Sequence, residues 1–242
     1  MRDLTDVKSC DDLTSALRNI DISVPSRIEG RKTHHTETYI VCRLLSTLAG
    51  ANQLAFPISV SPRDPPNDRP DVFMRTRNAQ IGLEITEAIP QQFAALCALA
   101  EQEFPDRWFP ADLFPWGAGS LTKDEMRALL RQNAPAASGW IDDTPEREWA
   151  LFMQKVVEIK RTKLAQPGFD KFEQNWLCIY DNLPLPNVHL ARAIEILKQL
   201  LKDYWDCSPI FDVLLIERDT VIARITANKS EHFVVNELWQ PE

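Results

Sequence analysis

Three acidic side chains and two lysines stand where the hydrophobic pattern of this chain calls for apolar residues. Glu37 continues the stripe of Val41, Leu44 and Leu48 on a helix spanning about residues 33–49, with His34 one turn earlier on the same face. The competing account of Glu37 is a carboxylate in the first turn, favoured there by the helix dipole. Asp71 follows Pro70 at the start of DVFMRT, and Glu84 sits in the middle of IGLEITEA. If those two segments pair as a simple hairpin, Asp71 arrives beside Glu84. Glu84 shares a strand face with Gly82, opposite Leu83 and Ile85, so a solvent-facing Glu84 is the competing reading. Carboxylates are disfavoured in mid-strand, and two that converge repel unless a cation lies between them. A hard divalent cation such as Mg²⁺ meets that need with one or two carboxylates plus water. Lys160, in VVEIKRTKL, falls inside the apolar arc of Trp149, Met153, Val156 and Leu164, and Lys163 falls at its edge. Stems that snorkel past a core to water would account for both lysines. Aimed at acids, they would instead stabilise charge developing on a phosphate or position an attacking water.

Periodicity supplies the elements that hold these residues. The helix over 33–49 ends at Gly50, and strands follow over 54–60, 71–77 and 80–88, the last two joined by the short polar link at 77–79. Pro90 opens a helix to about 103, Pro145 opens a longer one to about 165, and an apolar strand covers 176–180. An amphipathic helix over 187–205 and a hairpin, 211–216 with 221–226 turning at 217–219, complete the pattern. Between 105 and 145, proline, glycine and aromatics cluster around a short helix at 122–132. This is expected to be an insertion packed on the core by its aromatics, with a functional lid as the alternative. The order of elements implies an α/β or α+β domain with one mixed sheet.

Composition narrows the function classes. With 242 residues, 44% hydrophobic and 26% charged, the chain suits one large soluble domain and excludes wholesale disorder. Its apolar runs fall short of the roughly 18 residues of a membrane span, and MRDLTDVKSCDD is too charged for a secretory signal. Five cysteines, odd in number and without a C-x-x-C pair, argue against a disulfide framework or zinc site and for a reducing, cytoplasmic setting. No G-x-x-x-x-G-K or G-x-S-x-G occurs, which excludes P-loop and nucleophile-elbow chemistry. The net charge of -8 opposes a protein that simply coats nucleic acid. Residues 24–80, however, hold eight basic side chains against five acidic ones and admit an anionic ligand. His34 and His35, adjacent on a helix, should point apart, one exposed and one near the site. Trp108, Trp116 and Trp140 offer base stacking, with core packing the favoured account.

Taken in chain order, these residues resemble the PD-(D/E)XK nuclease superfamily. The matching residues are Glu37 on the first helix, Pro70-Asp71 at the second strand and Glu84-Ile85-Thr86 on the third. Thr86 stands where the usual motif has lysine, and Lys160 and Lys163 resemble the position to which some branches move it. The resemblance covers about residues 33–182, the insertion excepted. It implies a restriction-endonuclease-like fold, with a core of helix, three-stranded meander, helix and strand. The central mixed β-sheet would be flanked by helices, with the Pro/Trp-rich insertion at 105–145 and the C-terminal helix and hairpin at 187–227 appended to a single domain over 1–242. The implied function is that of a Mg²⁺-dependent phosphodiester hydrolase, a nuclease that also accepts Mn²⁺. Asp71, Glu84 and the Ile85 carbonyl would bind the metal, and Glu37 would be a further ligand or hold a metal-bound water. Lys160 or Lys163 would activate the attacking water, and Arg75 and Arg77 would contact the phosphate backbone. The implied partner is nucleic acid, DNA ahead of RNA, with a homodimer as the assembly suited to cutting two strands. One alternative is a catalytically silent fold serving as a binding or assembly module. Another is a metal-dependent enzyme acting on a small anionic substrate.

Overall fold

The computed structural model describes residues 1–26, 29–63, 70–105, 107, 109, 119–132, 142–185, 187–207 and 209–239. Trp108, Trp116 and Trp140 lie outside the described residues. Eight strands form one sheet in chain order: β1 (Leu4–Val7), β2 (Ile58–Pro62), β3 (Val72–Arg75), β4 (Gln80–Ala88), β5 (Gln174–Asp181), β6 (Val213–Arg218), β7 (Val221–Ile225) and β8 (Ser230–Val234). Neighbours are antiparallel except β4–β5 and β5–β6, which are parallel. The sheet is therefore mixed, and the protein is α/β.

Each parallel joint requires a crossover, because parallel strands cannot be joined by a tight turn. Between β4 and β5 the chain forms α3 (Gln91–Glu103), α4 (Lys123–Arg131) and α5 (Thr144–Leu164). Between β5 and β6 it forms α6 (Leu190–Leu200) and α7 (Lys202–Asp206). The other two helices, α1 (Cys10–Arg18) and α2 (Thr33–Gly50), lie between β1 and β2.

Strand alternation sorts these helices onto opposite faces. Ile81, Leu83 and Ile85 of β4 join Cys178 and Leu215 in a core with α1 and α2. Leu177 and Ile179 of β5 join Leu214 and Ile216 of β6 in a second core with α5 and α6. Covering on both faces explains why β5 and β6 read as nearly continuous apolar runs. A third, smaller cluster packs α3 against α4 through Leu96, Leu99, Met126 and Leu130. The described part of the expected insertion packs there, with Phe109 against Phe93 at 5.7 Å between ring centroids.

One buried ion pair ties the first core to the sheet. Arg43, in the middle of α2, donates its Nε to Glu217 Oε1 at 2.6 Å and also pairs with Glu237. Its Nη2 donates to the Asp219 carbonyl at 3.5 Å. The Arg43 side chain is 6% exposed and that of Glu217 is 0% exposed. Burial pushes the Glu217 carboxyl up, the guanidinium opposes that, and the second oxygen, Oε2, has no partner among the described residues.

Several elements differ from the sequence expectation. Pairing in the first meander strand begins at Ile58, not residue 54. The expected helix over 187–205 is two helices that start after His189, whose Nδ1 accepts from the Arg192 N–H and closes the N-terminus. Glu217 belongs to β6, and the turn to β7 is Asp219–Thr220, with Asp219 at φ 53°. Strands β1 and β8 were not expected at all. Each is a short edge strand with few buried residues, so its alternation is weak. All five cysteines are free thiols, and among the described residues no helix is long and apolar enough to cross a membrane.

Gly82 carries a structural constraint that bears on the site. A Cβ there would lie 2.6 Å from Phe172 Cδ2 and 2.7 Å from Pro70 Cγ. The missing side chain lets Phe172 and Pro70 close over β4, and Pro70 immediately precedes Asp71. Gly82→Ala should destabilise the fold by about 1–3 kcal/mol through overpacking. An unchanged urea midpoint would contradict this account of the packing.

Candidate functional site

The hairpin register brings two acids together. Val72 pairs with Leu83, so the next step along the ladder sets Asp71 beside Glu84. Asp71 Oδ2 accepts the Ile85 N–H at 2.6 Å, which locks the carboxylate against the strand. Glu84 alternates to the face covered by α5 and is buried, with 7% exposure. The solvent-facing reading of Glu84 therefore fails.

Lys160 meets Glu84 there. Met153, Val157 and Leu164 are buried on α5, with Val157 in place of the expected Val156. Residues 153, 157, 160 and 164 step by four, three and four, so Lys160 lies on the inward stripe. Its Nζ donates to Glu84 Oε1 at 2.7 Å and to the Ile85 carbonyl at 2.9 Å. The stem does not carry the charge to open water; the side chain is 15% exposed. Lys163, near the end of the same helix, is exposed and is not brought to the acids.

Glu37 completes the cluster from the opposite layer. It lies beyond the first turn of α2, so the helix-terminus account does not apply to it. It lines a cavity of about 460 Å³ together with Asp71, His34 and Arg63. It also lines a second cavity, of about 230 Å³, with Ile85, Thr86, Glu87, Arg31 and Lys32. Thr86 is half-buried on Glu84's side of the strand.

The electrostatics follow from three acids meeting one lysine. Burial and the neighbouring Glu84 charge push the Asp71 carboxyl up to about 7, with Glu37 adding to the rise. The Ile85 N–H and Lys160 pull the other way but do not prevail. Glu84 Oε2 is buried without a hydrogen-bond partner among the described residues. A buried carboxylate oxygen without a donor is costly, and here it marks a shortage of positive charge.

These residues fit a hard cation. Two carboxylates and a backbone carbonyl offer only oxygen, the donor type that Mg²⁺ prefers, and the orphaned Glu84 oxygen needs a cationic or hydrogen-bonding partner. Among the described residues no group of three or more His, Cys, Asp or Glu side chains is arranged to hold a metal. Asp71 and Glu84 are the two carboxylates that meet here, and Glu37 acts on Asp71 through its charge.

The remaining expected site residues lie elsewhere. Arg75 pairs with Gln80, at the end of the hairpin away from Asp71 and Glu84. Four residue steps of about 3.3 Å each separate it from Asp71 along the chain. Arg75 and Arg77 are exposed, and Arg75 lies over the Phe73 ring at 5.7 Å. The arginines and lysine that line the two cavities are Arg2, Arg31, Lys32 and Arg63, and the sequence flagged the last three only through the basic excess over 24–80. His34 and His35 do not diverge. Their ring centroids are 4.1 Å apart, and His35 Nδ1 accepts the Lys32 N–H at the start of α2.

Comparison of the chain with protein-family models, with curated proteins and with solved structures returned no match.

Proposed function

We propose that this chain is a Mg²⁺-dependent phosphodiester hydrolase acting on nucleic acid, built on a restriction-endonuclease-like core. The observation that carries the reading is Lys160 of α5 reaching Glu84 and the Ile85 carbonyl, beside an Asp71 bonded to the Ile85 N–H. Element order supports it. The succession α2, the antiparallel meander β2–β3–β4, α5 and β5 is the helix, meander, helix and strand that the resemblance implies.

In this reading Asp71, Glu84 and the Ile85 carbonyl hold the metal, which when bound supplies Lewis acidity and lowers the pKa of its water. Lys160 keeps a fixed ammonium beside the ligand carboxylate, where it orients the attacking water and offsets charge developing on the phosphate. Glu37 lies at the junction of both cavities and orients water from the α2 side. Arg31, Lys32 and Arg63 flank Glu37 and hold the strand's phosphates. DNA is the favoured polymer. Arg75 and Arg77, exposed at the far end of the hairpin, extend the contact to more distant phosphates if the duplex spans that face.

A second reading is favoured by a specific observation. Lys160 already satisfies Glu84 Oε1 and the Ile85 carbonyl without a metal, as a catalytically silent binding module would require. Calorimetric titration of Mg²⁺ and Mn²⁺ into the protein separates the two. Binding that is lost in both Asp71→Ala and Glu84→Ala is the expected result. Cleavage of DNA by the parent should then fall by about 10²-fold or more in Lys160→Ala. Absence of binding up to millimolar metal would leave the silent module as the better account.

A further inference from the structure

We infer that a third cavity, next to the Glu37 clefts, is a binding site for an unpaired nucleobase of the strand whose phosphate lies at Glu37; the inference rests on the nuclease reading for its ligand class. The cavity has a volume of about 660 Å³, within the roughly 300–1,000 Å³ of small-ligand sites. It shares Arg31 and Thr36 with the smaller Glu37 cleft, and that cleft shares Glu37 with the Asp71 cleft. The three cavities therefore run as one track past the N-terminal half of α2. Tyr180 and Asn182 place the third at the carboxyl end of the parallel strand β5, where open α/β sheets bind ligands.

The lining suits a base rather than a phosphate. Tyr39 and Tyr180 are half-buried and meet edge to face, with ring centroids 5.7 Å apart. Trp239 spends its indole N–H on the Leu17 and Ile20 carbonyls, both at 3.2 Å, so it offers the cavity only apolar ring surface. Asn182 donates its Nδ2 to Glu87 Oε1 at 2.5 Å, which leaves its Oδ1 free to accept from a base amino or imino group. Among the described residues the charged side chains in the lining are Asp21 and Arg31, of opposite sign. A phosphate finds one cation there, whereas the neighbouring cleft offers it two, Arg31 and Lys32, beside the carboxylates of Glu37 and Glu87. Arg31 thus stands between phosphate and base. It holds Thr36 Oγ1 at 3.1 Å and Glu87 only at 3.4 and 3.5 Å. Aromatic surface edged by polar acceptors, the Asn182 Oδ1 and the Asp21 carboxylate among them, suits a stacked and hydrogen-bonded base. A base buried this way must be unpaired, so the substrate is a single strand, an end or a distorted duplex.

The test uses the unaltered protein first. A single-stranded oligonucleotide carrying 5-bromodeoxyuridine is irradiated with the protein in EDTA, and the adducts are located by mass spectrometry. Adducts at Tyr39, Tyr180 or Trp239 are expected, and adducts confined to other residues would overturn the inference. In parallel, dAMP should bind more tightly than deoxyribose 5-phosphate. Tyr180→Leu should weaken dAMP by about 5- to 150-fold, the range for loss of one base–aromatic stack, while Tyr180→Phe should keep it within about twofold. Equal affinity for dAMP and the sugar phosphate would also overturn it. Metal titration of the parent beside the cross-linking separates the two claims. Cross-links at the aromatic residues in a parent that binds no metal uphold the base site and remove the nuclease reading. Metal-dependent cleavage with cross-links elsewhere removes the base site alone.

Discussion

Replacing Arg43 by methionine is expected to cost the fold about 3–5 kcal/mol, the usual effect of removing one member of a buried pair. The cost comes mainly from what is left behind. Glu217 is wholly inaccessible, its Oε2 already lacks a partner, and Arg43 is the one cation bonded to it among the described residues. Without the guanidinium, burial acts on that carboxylate unopposed. The Asp219 carbonyl and Glu237 lose a donor in the same step. Methionine fills most of the stem's volume, so a cavity accounts for little of the effect. The measurement is urea unfolding at fixed pH, with the m-value checked for constancy. The double variant Arg43→Met with Glu217→Leu should recover most of the loss, because an apolar pair of similar size replaces a buried ion pair at little cost. A single variant as stable as the parent would show that Glu217 is solvated in solution.

Asp71→Asn is expected to move stability the other way. In the folded protein the Asp71 carboxyl is pushed up to about 7 from the ordinary 3.8, chiefly by burial and by Glu84. A carboxyl raised in this way favours folding while it is protonated, and that contribution is lost as pH rises through the folded value. Above about pH 7 the parent must ionise Asp71 in a buried, acidic setting, whereas the asparagine variant remains neutral. The variant should therefore be the more stable protein at pH 8 in EDTA, by on the order of 4 kcal/mol at most. The gap should shrink as pH falls from about 7 and vanish below about 4. Thermal or urea unfolding at pH 8, 6 and 4 measures it directly. Added Mg²⁺ should narrow the gap at pH 8 by stabilising only the parent. A variant less stable than the parent at every pH would mean that the Ile85 N–H bond outweighs the charge.

The two acids and their lysine were legible because each breaks a strong local pattern. Asp71 and Glu84 could be paired in advance because a short link between strands dictates the register, and the ladder follows it. Lys160 was legible because it interrupts a stripe in a 21-residue helix, long enough for its phase to be firm. Lys163 was misplaced because an arc edge near a helix end says little about depth, and the last turn of α5 is open to solvent. The Arg43–Glu217 pair was missed because its partners are 174 residues apart and pair across layers. Gly82 went unremarked as a constraint because what it accommodates, Phe172, arrives from a distant segment. The third cavity was beyond local patterning for the same reason. Tyr39, Tyr180 and Trp239 come from three separate parts of the chain.

The parallel joint between β4 and β5 divides the site in time as well as in space. Asp71 and Ile85 are separated by 14 residues and are joined by a hairpin, the kind of element that closes in about 1–10 μs. Lys160 lies 76 residues beyond Glu84 and meets it only when the long crossover has folded back. Such non-local contacts form late, because loop closure must precede them. At a synthesis rate of about 5–20 residues per second, several seconds pass on the ribosome between the emergence of Glu84 and that of Lys160. Throughout that interval the nascent hairpin presents converging carboxylates without their counter-ion, so any divalent cation in the surroundings meets the acids before the lysine does.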